Sequence, residues 1–271
     1  MFLVTDFCNV YCRYCTRKHF TGQEQVFPPA SEYQEALSYI AQTKSLSEVI
    51  LSGGDPLTLS DGKINQVLSD LRQIEHIEII RIGSRMPVVN PFRITKELVE
   101  ILKKYNPVYL MTHFNHPNEI TNDSAAALEL LADNGVPVYN QMVLLNGVNN
   151  HPAIVTALSK RLLRLRVRPY YMFQCDPSEG TDHLRTSIED SLDIQKQMWG
   201  RVSGLVMPNL SVDIPAGGGK VGLTPNFIDS QSESEWKFTG WDGKSGVYKN
   251  PQAVSKPIVE KTYLDEWSQL S

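Results

Sequence analysis

Short runs of β-branched residues alternate with amphipathic stretches along most of the chain. This alternation predicts six strand and helix pairs, the pattern of βαβ units around a parallel sheet. The predicted strands cover residues 2–6, 48–52, 77–82, 108–112, 136–144 and 167–173. The predicted helices cover residues 31–42, 63–74, 95–105, 122–134, 152–164 and 187–198. Six repeats indicate an α/β fold built as a partial (β/α)6 barrel.

The last part of the chain changes character. A short strand at 210–214 is predicted to lead into a glycine run, and the segment 231–246 is polar with Trp236, Phe238 and Trp241 interspersed. That composition is typical of a small hairpin or a capping tail. We therefore expect a barrel over residues 1–225 and a C-terminal tail or capping segment over residues 226–271.

Composition limits the classes of function. A length of 271 residues and a hydrophobic fraction of 41% suit one sizeable domain with a real core. A formal net charge of -4 gives no general attraction for nucleic acid or for an anionic membrane. No apolar run approaches the length of a membrane span, and the N-terminus lacks the basic region of a signal peptide. We expect a cytoplasmic protein.

Three of the four cysteines fall within eight residues, as Cys8, Cys12 and Cys15, with the spacing Cys-x3-Cys-x2-Cys. Three thiolates at this spacing can hold three irons of a cubane and leave the fourth iron open to a small molecule. No second pair of Cys or His completes a zinc tetrahedron, and an odd triplet does not form a disulfide framework. The spacing predicts a [4Fe-4S] cluster, with three clustered core cysteines as the alternative.

A second motif narrows this interpretation. It is a glycine stretch that ends in lysine, Asp213-Ile214-Pro215-Ala216-Gly217-Gly218-Gly219-Lys220. Taken alone, this motif favours a glycine-rich surface turn followed by a solvated lysine. Together with the cysteine triplet it resembles the lysine 2,3-aminomutase family of radical S-adenosylmethionine (SAM) enzymes, from residue 2 to about residue 225. The resemblance implies that Lys220 anchors pyridoxal 5'-phosphate (PLP) as an imine.

The same resemblance implies a set of substrate contacts. Arg17 lies two residues past the last cluster cysteine, where the family's arginine grips the substrate α-carboxylate; a planar guanidinium suits that group. Asp176 and Asp213 stand where the family binds the side-chain ammonium of lysine, a charge that needs counter-charge when it is buried. Each of these residues could otherwise be a surface charge or a loop-capping acid.

The remaining candidates follow the predicted strands, and parallel barrels place their chemistry at the carboxyl ends of strands. We expect a glycine-rich turn to let backbone approach the SAM amino group, and polar strand ends to reach the SAM ribose or carboxylate. Ordinary turns and satisfied interior polar groups remain the alternatives. These cofactor-binding candidates are Gly53, Gly54, Asp55, Ser84, Arg85, His113 and Gln141. Cys175 is expected to be a small buried residue, and no zinc site is expected.

The reaction that the resemblance implies is the interconversion of L-lysine and β-lysine by a 2,3-amino shift. It would need a [4Fe-4S] cluster, SAM, PLP and an electron donor such as flavodoxin or ferredoxin. The alternatives are a 2,3-aminomutase for arginine or glutamate, a PLP-free radical SAM protein, and an inactive iron-sulfur protein. Family members carry an upstream region with an arginine that grips the PLP phosphate, so the chain is expected to be a fragment or a minimal version. The number of subunits stays open, with a homo-oligomer as one option.

Overall fold

The computed structural model describes residues 1–22, 26–251 and 255–268. It divides into two compact units, Met1–Thr224 and a smaller one that begins at Pro225. The larger unit contains one sheet of eight strands in the order β1-β2-β3-β4-β5-β6-β7-β8. Strands β1 to β7 pair in parallel and β8 is antiparallel to β7. The strands are β1 Phe2–Thr5, β2 Glu48–Gly53, β3 Ile79–Gly83, β4 Val108–Thr112, β5 Val138–Val143, β6 Val167–Phe173, β7 Asn209–Ile214 and β8 Gly219–Gly222.

Helices connect the parallel strands. They are α1 Ala30–Gln42, α2 Asp61–Arg72, the one-turn α3 Met86–Val89, α4 Lys96–Lys104, α5 Asn122–Asp133, α6 Pro152–Arg164 and α7 Ile188–Met198. Six strand and helix units with an unclosed sheet order confirm the predicted partial (β/α)6 barrel. Because strands β1 to β7 run in parallel, their carboxyl ends form one rim of the sheet.

Helix α4 shows how the sequence produces these elements. Leu98, Val99 and Leu102 occupy one face of the helix and are fully buried in the common core. Burying side chains of this size stabilises the fold by about 1.5 to 3 kcal/mol each. The Thr95 side chain accepts a hydrogen bond from Leu98 N at 3.2 Å, which satisfies one of the free amides of the first turn.

Asn149 joins the loops that follow β4 and β5 and is fully buried. Its amide nitrogen donates to Asn115 O and to Val143 O, both at 2.8 Å. Its Oδ1 accepts from Leu145 N at 2.7 Å. One side chain therefore supplies three hydrogen bonds to backbone that would otherwise be buried without partners, and it holds these loops against the rim.

Several predicted boundaries differ from the structure for identifiable reasons. The strand predicted from residue 136 begins at Val138, because Pro137 has no N–H to donate to a ladder. The strand predicted from residue 77 begins at Ile79, since Ile77 N bonds back to Ile74 O in a turn. The helix predicted from residue 63 begins at Asp61, because the Ser60 side chain caps it.

Strand β8 was not predicted. Its sequence Gly-Lys-Val-Gly contains one β-branched residue and two glycines, which are depleted in strands. The strand forms because it pairs with β7, where Asp213 lies opposite Lys220 and Ile214 opposite Gly219. The predicted glycine turn is therefore the connection of a β-hairpin, and Lys220 is on a strand rather than in a loop.

The smaller unit contains more structure than the predicted hairpin or tail. Strands β9 Ile228–Gln231, β10 Glu235–Thr239 and β11 Ser245–Lys249 form an antiparallel sheet with β10 in the middle, and helix α8 Lys261–Ser268 follows. Within this sheet the rings of Trp236 and Phe238 lie 6.1 Å apart. No helix in the described part of the chain combines the length and the apolar character that crossing a membrane requires.

Candidate active site

The three clustered cysteines lie in the loop after β1, and each is partly exposed. Cys15 N donates to Cys12 O at 3.0 Å, which closes the loop into a turn. Burial raises the pKa of Cys8 to about 12, with Asp55 and the other two cysteines adding to the effect. Three thiolates this close repel one another, so they need a cation to stay ionised together.

Two donors point at the sulfurs of this loop. Arg17 N donates to Cys15 Sγ at 3.3 Å, and Arg85 Nη1 donates to Cys12 Sγ at 3.0 Å. Hydrogen bonds to cysteine sulfurs are one of the means by which proteins tune iron-sulfur clusters. Among the described residues, no three His, Cys, Asp or Glu side chains converge tightly enough for a single metal ion. A cubane distributes its ligands over separate irons, so three cysteines at this spacing suit a cluster.

Arg17 reaches from the cysteine loop to the end of β2. Its Nη1 donates to Ser52 Oγ, and more weakly to Gly53 O at 3.4 Å. Burial lowers the pKa of Arg17, and the nearby Cys15 and Cys8 oppose that effect. Both acceptors are neutral, so the described contacts give this guanidinium no carboxylate partner. It is the arginine of the site with charge to offer to an anion.

Gly53 and Gly54 allow the end of β2 to pack against the segment after β1. A Cβ on Gly53 would overlap Thr5 O and one on Gly54 would overlap Phe7 O; Gly53 also has φ +122°. Gly54 N donates to Thr5 O at 2.6 Å, and Asp55 N donates to Phe7 O at 2.8 Å. The glycines are thus required by a backbone approach within the chain that positions the cysteine loop, a reason that the sequence did not reveal.

Asp55 is a buried connector between the second and third strand ends. Its carboxylate accepts from Leu57 N at 3.0 Å and from Arg85 N at 2.7 Å, and it is bonded to Ser84. Burial raises the pKa of Asp55, although these hydrogen bonds act in the opposite direction. Ser84 Oγ in turn accepts from Met86 N at 3.0 Å. Both side chains are occupied in fixing the backbone of the rim.

His113 directly follows β4 and is held as a neutral ring. Burial lowers the pKa of His113 to about 3, and Arg85 adds to the shift. Its Nε2 is buried without a hydrogen-bond partner among the described residues, and its ring lies 5.5 Å from that of Tyr14. An orphaned buried nitrogen at the rim is available to a ligand. Gln141 lies on β5 opposite Tyr171 of β6.

The hairpin of β7 and β8 forms a second cluster. Lys220 Nζ pairs with Asp213 Oδ1 at 2.8 Å, with about half of the Asp213 side chain exposed. The same Nζ lies 4.0 Å from the centroid of the Phe173 ring and 5.3 Å from that of Tyr171. Burial raises the pKa of Asp176, Asp213 raises it further, and Lys220 lowers it. The two acids and the lysine that the sequence singled out are therefore neighbours.

A cavity of about 540 Å³ opens beside this cluster, within the usual size range of small-molecule sites. It is lined by Lys220, Tyr171, Asn209, Ser211 and Arg168, among others. Arg168, the cationic residue named here, already donates to Gly204 O and Leu205 O. A lysine and an aromatic ring at the edge of a cavity nevertheless fit an aromatic aldehyde. The residues present therefore suit PLP.

Sequence reasoning missed Glu119, Tyr14 and the aromatic pair Tyr171 and Phe173. Glu119 Oε1 pairs with Arg85 Nη2 at 2.5 Å. The only local signal was the segment His116-Pro117-Asn118-Glu119, which forms a capping box. Cys175 is buried as expected, and burial raises its pKa.

Residues 2–158 match the model of the radical SAM superfamily, and residues 195–269 match the model described as lysine-2,3-aminomutase. The chain belongs to the lysine 2,3-aminomutase family of the radical SAM superfamily. It is similar to L-lysine 2,3-aminomutase of Clostridium subterminale, with 47% identity over 251 residues, covering 93% of this chain and 60% of the relative. Against L-lysine 2,3-aminomutase of Bacillus subtilis (strain 168) the identity is 45% over 252 residues, covering 93% and 54%.

An aminomutase with a different substrate in its name is nearly as similar to this chain as the two lysine enzymes. Glutamate 2,3-aminomutase of Clostridioides difficile (strain 630) is 43% identical over 263 residues, covering 97% of this chain and 62% of the relative. The chain spans about 60% of the length of curated L-lysine 2,3-aminomutases that it matches.

Solved structures support the fold. A radical SAM methyltransferase from Sphaerobacter thermophilus superposes with a TM-score of 0.57 at 16% identity, covering 80% of this chain and 68% of that one. Streptococcus suis SuiB bound to S-adenosylmethionine gives a TM-score of 0.56 at 13% identity, covering 78% and 50%. These two likenesses extend to the fold alone.

Proposed function

We propose that this chain carries the reacting part of a radical SAM and PLP-dependent aminomutase that interconverts L-lysine and β-lysine. The observation that carries the choice of lysine is the clustering of Asp176 and Asp213 at the cofactor lysine, Lys220. A cationic side chain needs such counter-charge when it leaves water. The chain's similarity to L-lysine 2,3-aminomutases supports the same choice.

Each group of residues then has a distinct task. Cys8, Cys12 and Cys15 hold three irons of a [4Fe-4S] cluster, and Arg17 pairs with the substrate carboxylate through its planar guanidinium. When bound, the cluster with SAM supplies a carbon radical and PLP supplies electron delocalisation around the migrating nitrogen. His113 offers its unpaired Nε2, as a neutral ring, to the bound SAM.

Lys220 anchors the PLP, and the β7 and β8 hairpin fixes its distance from Asp213. The aromatic faces of Phe173 and Tyr171 stabilise its ammonium while the site is free of PLP. With PLP bonded to Lys220, this nitrogen would no longer be a free ammonium opposite Asp213. Asp213 is then available to the ammonium of a lysine substrate.

The test is an anaerobic assay of lysine conversion with SAM, PLP and a reductant, together with borohydride trapping. Trapping should attach the cofactor to the peptide that contains Lys220. Lys244→Ala is the matched control and should still trap PLP on Lys220. Lys244 also pairs with an aspartate, at 3.3 Å, but lies in the smaller unit. Trapping on a different lysine would contradict the assignment of the anchor.

The cluster has its own test. Cys12→Ala should abolish SAM cleavage, whereas Cys175→Ala, which removes a cysteine outside the triplet, should leave the iron content unchanged. A Cys12→Ala protein that kept its cluster spectrum and still formed 5'-deoxyadenosine would contradict the assignment. Formation of 5'-deoxyadenosine by the unaltered protein would exclude the alternative of an inactive iron-sulfur protein.

A glutamate substrate is the second candidate, because a glutamate 2,3-aminomutase is among the similar proteins. It is disfavoured, since the γ-carboxylate of glutamate would meet two aspartates. Arginine, a longer cation, is an alternative substrate. The proposal also includes an electron donor such as flavodoxin or ferredoxin, assembly into a homo-oligomer, and a cytoplasmic location. Absence of PLP absorbance in the purified protein would instead favour a PLP-free radical SAM enzyme.

A further inference from the structure

Arg85 spans the third strand end, the fourth strand end and the cysteine loop. Its Nη1 donates to Cys12 Sγ at 3.0 Å, its Nη2 to Glu119 Oε1 at 2.5 Å and its Nε to His113 O at 3.2 Å. We propose that Arg85 sets the reduction potential of the cluster through its charged hydrogen bond to Cys12 Sγ, with Glu119 as the opposing charge. The proposal rests on the proposed function, because it requires the cluster to be bound.

The guanidinium is held in one orientation by groups that are themselves fixed. The Arg85 Cζ lies 5.7 Å from the centroid of the Tyr14 ring. Glu119 cannot follow it freely, because Glu119 Oε2 accepts from Asn115 N at 2.5 Å and from His116 N at 3.0 Å. The backbone of Arg85 is fixed as well, since its N donates to Asp55 Oδ2. A donor this constrained needs little reorganisation when the charge on the sulfur changes.

These contacts also separate the roles of the two arginines at the rim. Arg85 is engaged through each of its three nitrogens, by a sulfur, a carboxylate and a carbonyl oxygen. Arg17 donates to a hydroxyl and a carbonyl, which are neutral and weaker partners. An incoming carboxylate would have to displace Glu119 from Arg85 but only neutral groups from Arg17. On this inference Arg85 serves the cluster through Cys12, and the expectation that it binds SAM stays a prediction.

The sign of the effect follows from charge. Reduction adds one electron to a cluster that carries thiolate ligands, so a nearby positive charge stabilises the reduced form and a nearby negative charge destabilises it. Both groups are largely shielded from water, with side chains 20% and 23% exposed, so solvent screening is incomplete. Removing the Arg85 charge should lower the potential, and removing the Glu119 charge should raise it.

The experiment is an EPR-monitored potentiometric titration of the anaerobically reconstituted protein, with dithionite as the electron source and redox mediators. Arg85→Gln should shift the one-electron reduction equilibrium about tenfold toward the oxidised cluster, which corresponds to about 59 mV. Glu119→Gln should shift it in the opposite direction. Arg93→Gln is the matched control: Arg93 also binds a carboxylate, Asp61 at 2.7 Å, and two backbone carbonyls, but none of its described contacts is with the cysteine loop. Its potential should equal that of the wild type.

The outcomes distinguish a failure of the proposed function from a failure of the role of Arg85. A wild-type protein that reconstitutes without an iron-sulfur signal refutes the proposed function itself. A loaded wild type whose Arg85→Gln and Glu119→Gln variants keep its potential, or shift it in the same direction, overturns the role of Arg85. If Arg85→Gln does not retain the cluster, Arg85→Lys decides: it keeps the charge but loses the fork, so a smaller lowering supports the inference and an unchanged potential refutes it.

Discussion

Asp213→Asn tests the lysine clamp with a nearly isosteric change. The substitution removes a carboxylate that pairs with Lys220 at 2.8 Å. In the wild type this carboxylate also raises the pKa of Asp176. A hydrogen bond to a charged group contributes about 1.5 to 3 kcal/mol. Because the Asp213 side chain is 49% exposed, solvent screening places its contribution at the lower end, near 1.5 kcal/mol. That loss corresponds to about a tenfold higher KM for lysine.

The assay is a kinetic measurement of lysine conversion over a range of pH, with iron content and PLP absorbance determined on the same samples. The pKa of Asp176 is raised in the wild type, first by burial and then by Asp213, so ionised Asp176 is lost as the pH falls through a value above the ordinary range. Removing Asp213 abolishes the second cause. The acid limb of kcat/KM should therefore move to lower pH, although burial keeps it from returning fully.

The control for this variant is Asp242→Asn, which removes the same group from an aspartate and lysine pair in the smaller unit. It should leave the KM for lysine unchanged. The reasoning about the clamp is refuted if Asp213→Asn keeps the wild-type KM and acid limb. Equal losses of PLP and iron in Asp213→Asn would instead identify a general folding defect, which a clamp does not predict.

Three further predictions concern the scaffold of the site. Gly53→Ala should lose iron on reconstitution while Gly62→Ala, on an open helix position, retains it, because a Cβ on Gly53 overlaps Thr5 O. Asn149→Ala should lower the free energy of unfolding by about 3 kcal/mol in urea titrations, because three buried backbone groups lose their partner; a loss below 1 kcal/mol would show that water replaces it. Since the pKa of His113 falls from 6.5 to about 3 on folding, stability should decline below pH 6.5 by up to about 1.4 kcal/mol per unit, and His113→Gln should flatten that decline.

The parallel architecture was predictable because its signal is local and repeated. Buried strands such as Val108–Thr112 are continuous apolar runs, and helices such as Pro152–Arg164 carry apolar residues at helical spacing, so the pattern gave both elements their observed bounds. Boundaries were missed where one residue decides them, as with the Ser60 cap. Strand β8 was missed because pairing with β7, rather than its own composition, makes it a strand.

The candidate site likewise contains residues that the sequence reveals and contacts that only the fold brings together. The cysteine triplet and the glycine run followed by Lys220 are contiguous motifs, and each was visible in the sequence. The contact between Arg85 and Cys12 joins residues 73 positions apart, and the one between Arg17 and Ser52 joins residues 35 apart. Such contacts depend on how neighbouring strands align at the rim, and no local pattern encodes that alignment.

The charge at the hairpin connects the choice of substrate to the order of binding. Two acids, Asp176 and Asp213, lie near the ammonium of Lys220, so the described residues of this cluster carry more negative than positive charge. Bonding of PLP to Lys220 would engage the nitrogen that now pairs with Asp213, which would leave the two acids free to bind another positive charge. The ammonium of lysine supplies such a charge, whereas the γ-carboxylate of glutamate would add a third negative charge. This cluster of two acids and one lysine therefore favours a cationic substrate most strongly after PLP has bound.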